Sequence, residues 1–257
     1  MNRKPDSQHL SPIFRPFNPN GDVTVYLRNL PHWRQRGATY FVTFRQADSI
    51  PKNVLAEWLD IRERWYRAHN LEPAQREAEP EDFAAGYLRI PRNIRRAFEK
   101  QQAKMLHEEL DRCHGSCVLR VHEIQTEVTQ ALKHFDGERL WLGDFVLMPN
   151  HVHLIIQPFD GWELEDLLGS IKKWTSRKIG QRLDLMNSNL SPAETETESS
   201  RPRFWQYESY DRIIRDGEEL AAFRRYIVRN PEVAGMKASE SLYFAAAWLD
   251  PFAQAAT

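Results

Sequence analysis

The chain has 257 residues, 41% hydrophobic and 28% charged, with a formal net charge of −1 and an isoelectric point near 6.8. That length supports a substantial core in one domain or two, and no apolar run approaches the ~20 residues of a membrane span. Cys113 and Cys117 are the only cysteines, which excludes a disulfide framework and fits a reducing compartment.

Residues 1–22 contain four prolines and three asparagines and are expected to form an arm without a fold of its own. The opening MNRKPDSQHLSP lacks the hydrophobic core of a signal peptide, so a cytoplasmic location is expected. Residues 23–27 predict a short strand. Residues 38–45 (ATYFVTFR), β-branched and aromatic between Gly37 and a turn signal, predict the first core strand. Pro51 opens a helix to about His69, an acidic linker follows around residues 72–82, and residues 90–110 predict a second helix. Residues 117–121 read as a short strand or linker. Ile124, Val128, Leu132 and Phe135 give helical spacing that stops at Asp136-Gly137.

Two β-favouring runs, residues 140–147 and 151–157, flank Met148-Pro149-Asn150 and predict a hairpin. Alternation along the second strand puts His151 and His153 on one face and Val152, Leu154 and Ile156 on the other. Residues 164–185 predict a helix with leucines inward and a basic cluster outward. Residues 186–201 read as a low-complexity surface loop, residues 204–215 (FWQYESYDRIIR) as a strand, and residues 238–252 as an apolar tail that packs on the body. Between strand and tail, Asp216 and Glu218-Glu219 start a helix expected to end near Arg229, because Pro231 disfavours helical geometry at Asn230.

Two imidazoles one strand repeat apart can ligate one divalent metal, although a lone His-x-His is usually structural. Tyr226 and Asn230, four residues apart, lie within about 40° of each other on the helix. Asn230 offers an amide oxygen to the same metal, and Arg225 and Arg229 can neutralise a phosphate. Positive charge is concentrated rather than general. Lys172, Lys173, Arg177, Lys178 and Arg182 stand with no acid between them, and residues 89–104 hold six basic residues against Glu99 alone. Such clusters give local phosphate affinity on a neutral chain, or are simply solvated helix faces. Trp33, Trp205 and Tyr207 are possible base-stacking groups.

The succession MPNHVHLIIQP, LLGSIKKWTSRKI, FWQYESYDRIIRD and RYIVRNPEVAGM resembles the single-tyrosine HUH transposases, and within them the REP-associated tyrosine transposases. The resemblance spans roughly residues 39–235. It implies an α+β fold, a ferredoxin-like antiparallel sheet with helices packed on it and the HUH motif on a central strand. Residues 23–236 are then the transposase domain with a helical insertion at about 51–111, and residues 237–257 a C-terminal tail. By motif, Tyr226 matches the nucleophile and His151, His153 and Asn230 the metal ligands. Lys172, Lys173, Arg177, Lys178, Arg225 and Arg229 are the candidate DNA contacts. The implied activity is cleavage and rejoining of single-stranded or hairpin DNA through a 5′-phosphotyrosine. The oxygen-bearing Asn230 favours Mg2+ or Mn2+. Monomer and homodimer both remain open.

Other readings compete. Tyr207 or Tyr210 could be the nucleophile, but neither has a polar residue one helical turn on. A histidine-triad hydrolase needs a third alternating histidine where Ile155 stands. Cys113 and Cys117 with a nearby histidine could bind zinc, at an unusual spacing. A domesticated DNA-binding protein with silent cleavage, or a metal-dependent hydrolase of small phosphoesters, would keep the same residues.

Overall fold

The computed structural model describes residues 11–28, 31–187 and 203–252. A hairpin of β1 (Thr24–Leu27) and β2 (Pro31–Arg34) precedes the first core strand, β3 (Tyr40–Arg45). Four helices follow: α1 (Lys52–Ala68), α2 (Gln75–Ala78), α3 (Pro80–Arg89) and α4 (Arg92–Asp111). Next come α5 (His122–Lys133), the hairpin β4 (Leu140–Leu147) and β5 (His151–Pro158), and α6 (Leu164–Asn187). The chain ends through β6 (Tyr210–Ile213), α7 (Gly217–Val233) and β7 (Leu242–Phe244).

The main sheet has strand order β6-β3-β5-β4-β7, and every pairing is antiparallel. Without β7, the order and intervening helices are the βαββαβ pattern of a ferredoxin-like fold, with both histidines on the central strand β5. Every residue of β3 and β5 is buried, because both faces of the sheet are covered. Val42, Leu154 and Ile156 face the apolar residues of α5 and α6, among them Val128, Leu132, Leu167 and Ile171. Phe41, Val146 and Ile155 on the other face pack against Leu220 and Ile227 of α7 and Leu249 of the tail. A bulge lies between Leu142 and Phe145, where β4 spends two residues opposite Ile155. A Cβ on Gly143 would stand 2.8 Å from the Ile155 Cβ, so the close approach requires glycine there.

Several expectations need correction. The acidic linker after α1 instead contains α2 and α3, whose Phe83, Ala84 and Tyr87 join Tyr66 and Phe98 in a separate aromatic core. Of the strand expected over residues 204–215, only Tyr210–Ile213 is regular. Trp205 makes an isolated bridge to Gln46 and its indole N–H donates to Thr175. Residues 118–120 form a turn of 3-10 helix rather than a strand. Helix α7 runs through Pro231 to Val233. The missing N–H costs one bond in its last turn, while Leu220 and Ile227 anchor its buried face.

Of the expected free arm, residues 1–10 lie outside the described residues. Within residues 11–22, Phe17 N–H donates to the Ile214 carbonyl and Arg15 N–H to Gln157, so that stretch is fixed to the sheet. The loop expected at residues 186–201 lies, from 188 on, outside the described residues.

Candidate active site

Strand β5 is central and its alternation aims His151 and His153 toward α7 and α4, where both are fully buried. Their Nε2 atoms face each other at 2.9 Å. The other ring nitrogens are oriented by neighbours: His151 Nδ1 lies 2.7 Å from Asn150 Oδ1, and His153 Nδ1 lies 2.7 Å from Thr43 Oγ1. Asn150 donates its amide N–H to the His114 carbonyl, so its oxygen is the atom facing His151. An amide oxygen only accepts, which puts the His151 proton on Nδ1 and leaves Nε2 with a free lone pair. Thr43 can donate or accept, so His153 can hold its proton on either nitrogen.

Helix α7 brings Tyr226 and Asn230 to the same place. The Tyr226 hydroxyl lies 3.3 Å from His153 Nε2, with the rings 5.0 Å apart. Asn230, one turn on, donates its amide N–H to Asp111 Oδ1 at 3.3 Å, while its buried carbonyl oxygen has no protein partner. The four residues singled out by spacing are therefore brought together within one chain.

The sequence did not mark His107 and Asp111 of α4 as part of this constellation. His107 is half-buried, its ring 5.3 Å from that of His153 and 5.4 Å from that of Tyr226, with Nε2 3.4 Å from Thr43 Oγ1. Asp111 orients Asn230. The only signal was that both lie on one face of a helix, His107 four residues before Asp111, a spacing too common to select.

Burial keeps the imidazoles neutral. Desolvation lowers His107 to about 4 and His151 to about 3, the latter with a further push from His107. His153 falls well below its ordinary value through burial and then through His151 and His107. Tyr226 is driven well above the usual range for a phenol, by burial first and then by Asp111 and Tyr210, against a hydrogen bond from Asn230. Burial also raises the Asp111 carboxyl, opposed by the Asn230 bond.

These donors suit a divalent ion. Two ligands at right angles on an ion with ~2.1 Å bonds stand about 3 Å apart, close to the separation of the two imidazole nitrogens. The orphaned Asn230 oxygen is a third neutral donor of the hard type. Among the described residues no group of three His, Cys, Asp or Glu side chains is placed to share a metal, so the zinc reading of Cys113 and Cys117 has no site.

The expected DNA contacts are divided. Arg225 and Arg229 are exposed on α7. Lys172, Lys173, Arg177 and Lys178 sit on α6, which packs on the opposite face of the sheet, so the structure does not bring them to the tyrosine. The Lys172 ammonium is committed to the Gln206 and Tyr207 carbonyls and to Ser209, and burial lowers it to about 8. Lys173 and Arg177 line an open groove with Arg28 and Arg203, while Lys178 lies over the Trp174 ring. Trp205 is core, and Tyr207 is exposed beneath Arg28 and Arg203.

Residues 118–230, from the turn before α5 to the asparagine of α7, match the family model described as transposase IS200 like. Over these residues the chain is similar to the IS200-like transposases. No curated protein matches the chain in sequence. It is similar to one solved structure, described as the structure of the REP associates tyrosine transposase bound to a REP hairpin. The identity is 12%, the match covers 82% of this chain and 76% of that one, and the TM-score is 0.40, too remote to carry an argument of its own. Helix α4, with His107 and Asp111, precedes the matched part of the chain. Among the described residues no helix is long and apolar enough to cross a membrane.

Proposed function

We propose that the protein cleaves and rejoins single-stranded DNA, at hairpin-forming sequences, through a 5′-phosphotyrosine on Tyr226. The observation that supports this best is the Tyr226 hydroxyl 3.3 Å from His153 Nε2, which itself faces His151 Nε2, with the buried Asn230 oxygen left unpartnered one helical turn on. The Tyr226 oxygen bonds to phosphorus and the bond to the 3′ oxygen breaks. That oxygen leaves as a hydroxyl, carrying overall the proton that the tyrosine gives up. Because bond energy is kept in the phosphotyrosine, reattack by a 3′-hydroxyl rejoins strands without a nucleotide cofactor.

His151, His153 and Asn230 would hold a divalent ion, Mg2+ or Mn2+, which neutralises charge on the attacked phosphate. Thr43 and Asn150 fix the ring orientations, and Asp111 fixes Asn230. Arg225 and Arg229 offer positive charge on the exposed side of the tyrosine helix. Burial makes Tyr226 a weak acid in the closed arrangement, so a nearby cation is needed to favour the phenolate.

The test is incubation with labelled single-stranded oligonucleotides bearing imperfect palindromes, with Mg2+ or Mn2+, followed by a denaturing gel. A covalent band that needs metal and is absent from Tyr226→Phe is expected. Tight binding without a band under any metal would favour a DNA-binding protein with silent cleavage, and a band surviving Tyr226→Phe would move the nucleophile elsewhere.

A further inference from the structure

Beside the tyrosine site, but separated from it by one aromatic wall, lies a pocket of about 300 Å3 between α4, β2 and the edge strand β6. Its lining holds six arginines and two carboxylates, and both carboxylates are already engaged: Asp211 with His32 and Arg34, Glu99 with the Tyr87 hydroxyl. Arg212 pairs with Glu219. Arg92 and Arg96 are exposed on α4 with no ion-pair partner among the described residues. Burial, and then the charges of Arg212, Arg96 and Arg92 against a partial offset from Glu219, lowers the Arg215 guanidinium. Like charges gathered around a small space favour an anion between them.

The remaining wall is aromatic. Trp33 is half-buried with the Arg95 guanidinium 5.6 Å from its ring, and Phe98 is 5% exposed. Aromatic faces with converging arginines suit a flat base carrying a phosphate. Sheet register then relates this pocket to the histidines. Tyr210 pairs with Thr43 and Thr43 with His153, so the three form one row on the same face, running from the pocket wall to the metal ligands. The Tyr210 ring is 5.2 Å from that of His107, which in turn contacts Tyr226.

We infer that this pocket seats one nucleotide of the DNA strand, its base against the half-buried Trp33 and its phosphate among Arg92, Arg96 and Arg215, and so fixes which linkage reaches Tyr226. The inference rests on the DNA-strand reading above. Trp33 and α4 both lie before residue 118, so the pocket is built largely by parts of this chain outside the family match.

The experiment uses full-length Tyr226→Phe protein and labelled single-stranded oligonucleotides in which each position in turn is made abasic, with affinity read by fluorescence anisotropy. One position is expected to lose about tenfold in affinity when its base is removed. That penalty should vanish in Trp33→Ala. The double variant Arg92→Glu/Arg96→Glu, on an exposed helix surface where the fold is not at risk, should weaken binding and reduce the salt slope by about 1.

If the oligonucleotides bind but no position carries a penalty, or the penalty survives both variants, the pocket inference is overturned while the DNA reading stands. If none binds at all, both readings fall together. A free deoxynucleoside monophosphate that binds at micromolar concentration without displacing the oligonucleotide would also overturn it, since the pocket would then serve a separate ligand.

Discussion

The two faces of the central sheet are equally buried and chemically unlike. On one, Val42, Leu154 and Ile156 meet α5 and α6 with apolar atoms only. On the other, one residue out of phase, Thr43, His151 and His153 meet α7 and α4 together with Asn230 and Asp111. Burial of apolar surface is favourable at roughly 25 cal/mol per Å2, whereas each buried polar atom has to be matched by a partner. The second face meets that demand through Asn150, Thr43 and Asp111, but leaves the Asn230 oxygen unmatched. Apolar packing holds both faces, through Phe41, Val146 and Ile155 on the second as well, but the polar groups of β5 stand on the second alone.

Adjacent residues on β5 provide the sharpest contrast. His153→Ala should abolish covalent adduct formation in the denaturing-gel assay while the protein stays folded. Leu154→Ala should cost about 2–5 kcal/mol in urea denaturation and leave adduct formation per folded molecule nearly unchanged. If the two variants behaved alike, the division of labour between the faces would be wrong.

A smaller effect comes from the edge of the apolar face, where Asp211 carries charge. Burial opposes protonation of His32, but its hydrogen bonds to Asp211 and Glu208 outweigh this and raise it to about 9. A folded-state value above the unfolded ~6.5 means a contribution present in full below pH 6.5 and lost as pH rises through 9. Thermal midpoints should therefore fall between pH 7 and 9, by an amount equivalent to roughly 3 kcal/mol at most, and that part of the fall should be missing in His32→Gln.

Smallest is the effect of removing the support of a ligand rather than the ligand. Asp111→Ala leaves Asn230 free to turn, so the adduct rate at limiting metal should drop about tenfold and recover partly as metal is raised. A rate that does not respond to metal would place Asp111 outside the support of Asn230.

Period-two alternation made the histidine pair readable, and a four-residue step joined Tyr226 to Asn230, because both are local rules of backbone geometry. The strand order followed from the resemblance rather than from any pattern in the residues. His107 and Asp111 were invisible for a different reason. Their helix reaches the site only through tertiary packing, and no local rule encodes which face of a helix will meet a strand more than forty residues away. The basic run on α6 was legible in the same limited way: its spacing indicated a charged helix face, not the side of the sheet on which the helix would lie. Pro231 was read as a stop because the sequence does not reveal how firmly Leu220 and Ile227 hold the last turn.

The β4 bulge turns Asp144 toward α7, where it is fully buried and binds Arg224, the backbone N–H of Ala246 and the Tyr243 hydroxyl, while Arg224 also reaches Asp250 of the tail. Removing one member of such a pair commonly costs 3–5 kcal/mol, because the other charge is left buried alone. The knot fastens the tyrosine-bearing helix to its own sheet. Trading that helix with a second copy would require the knot to be untied in both.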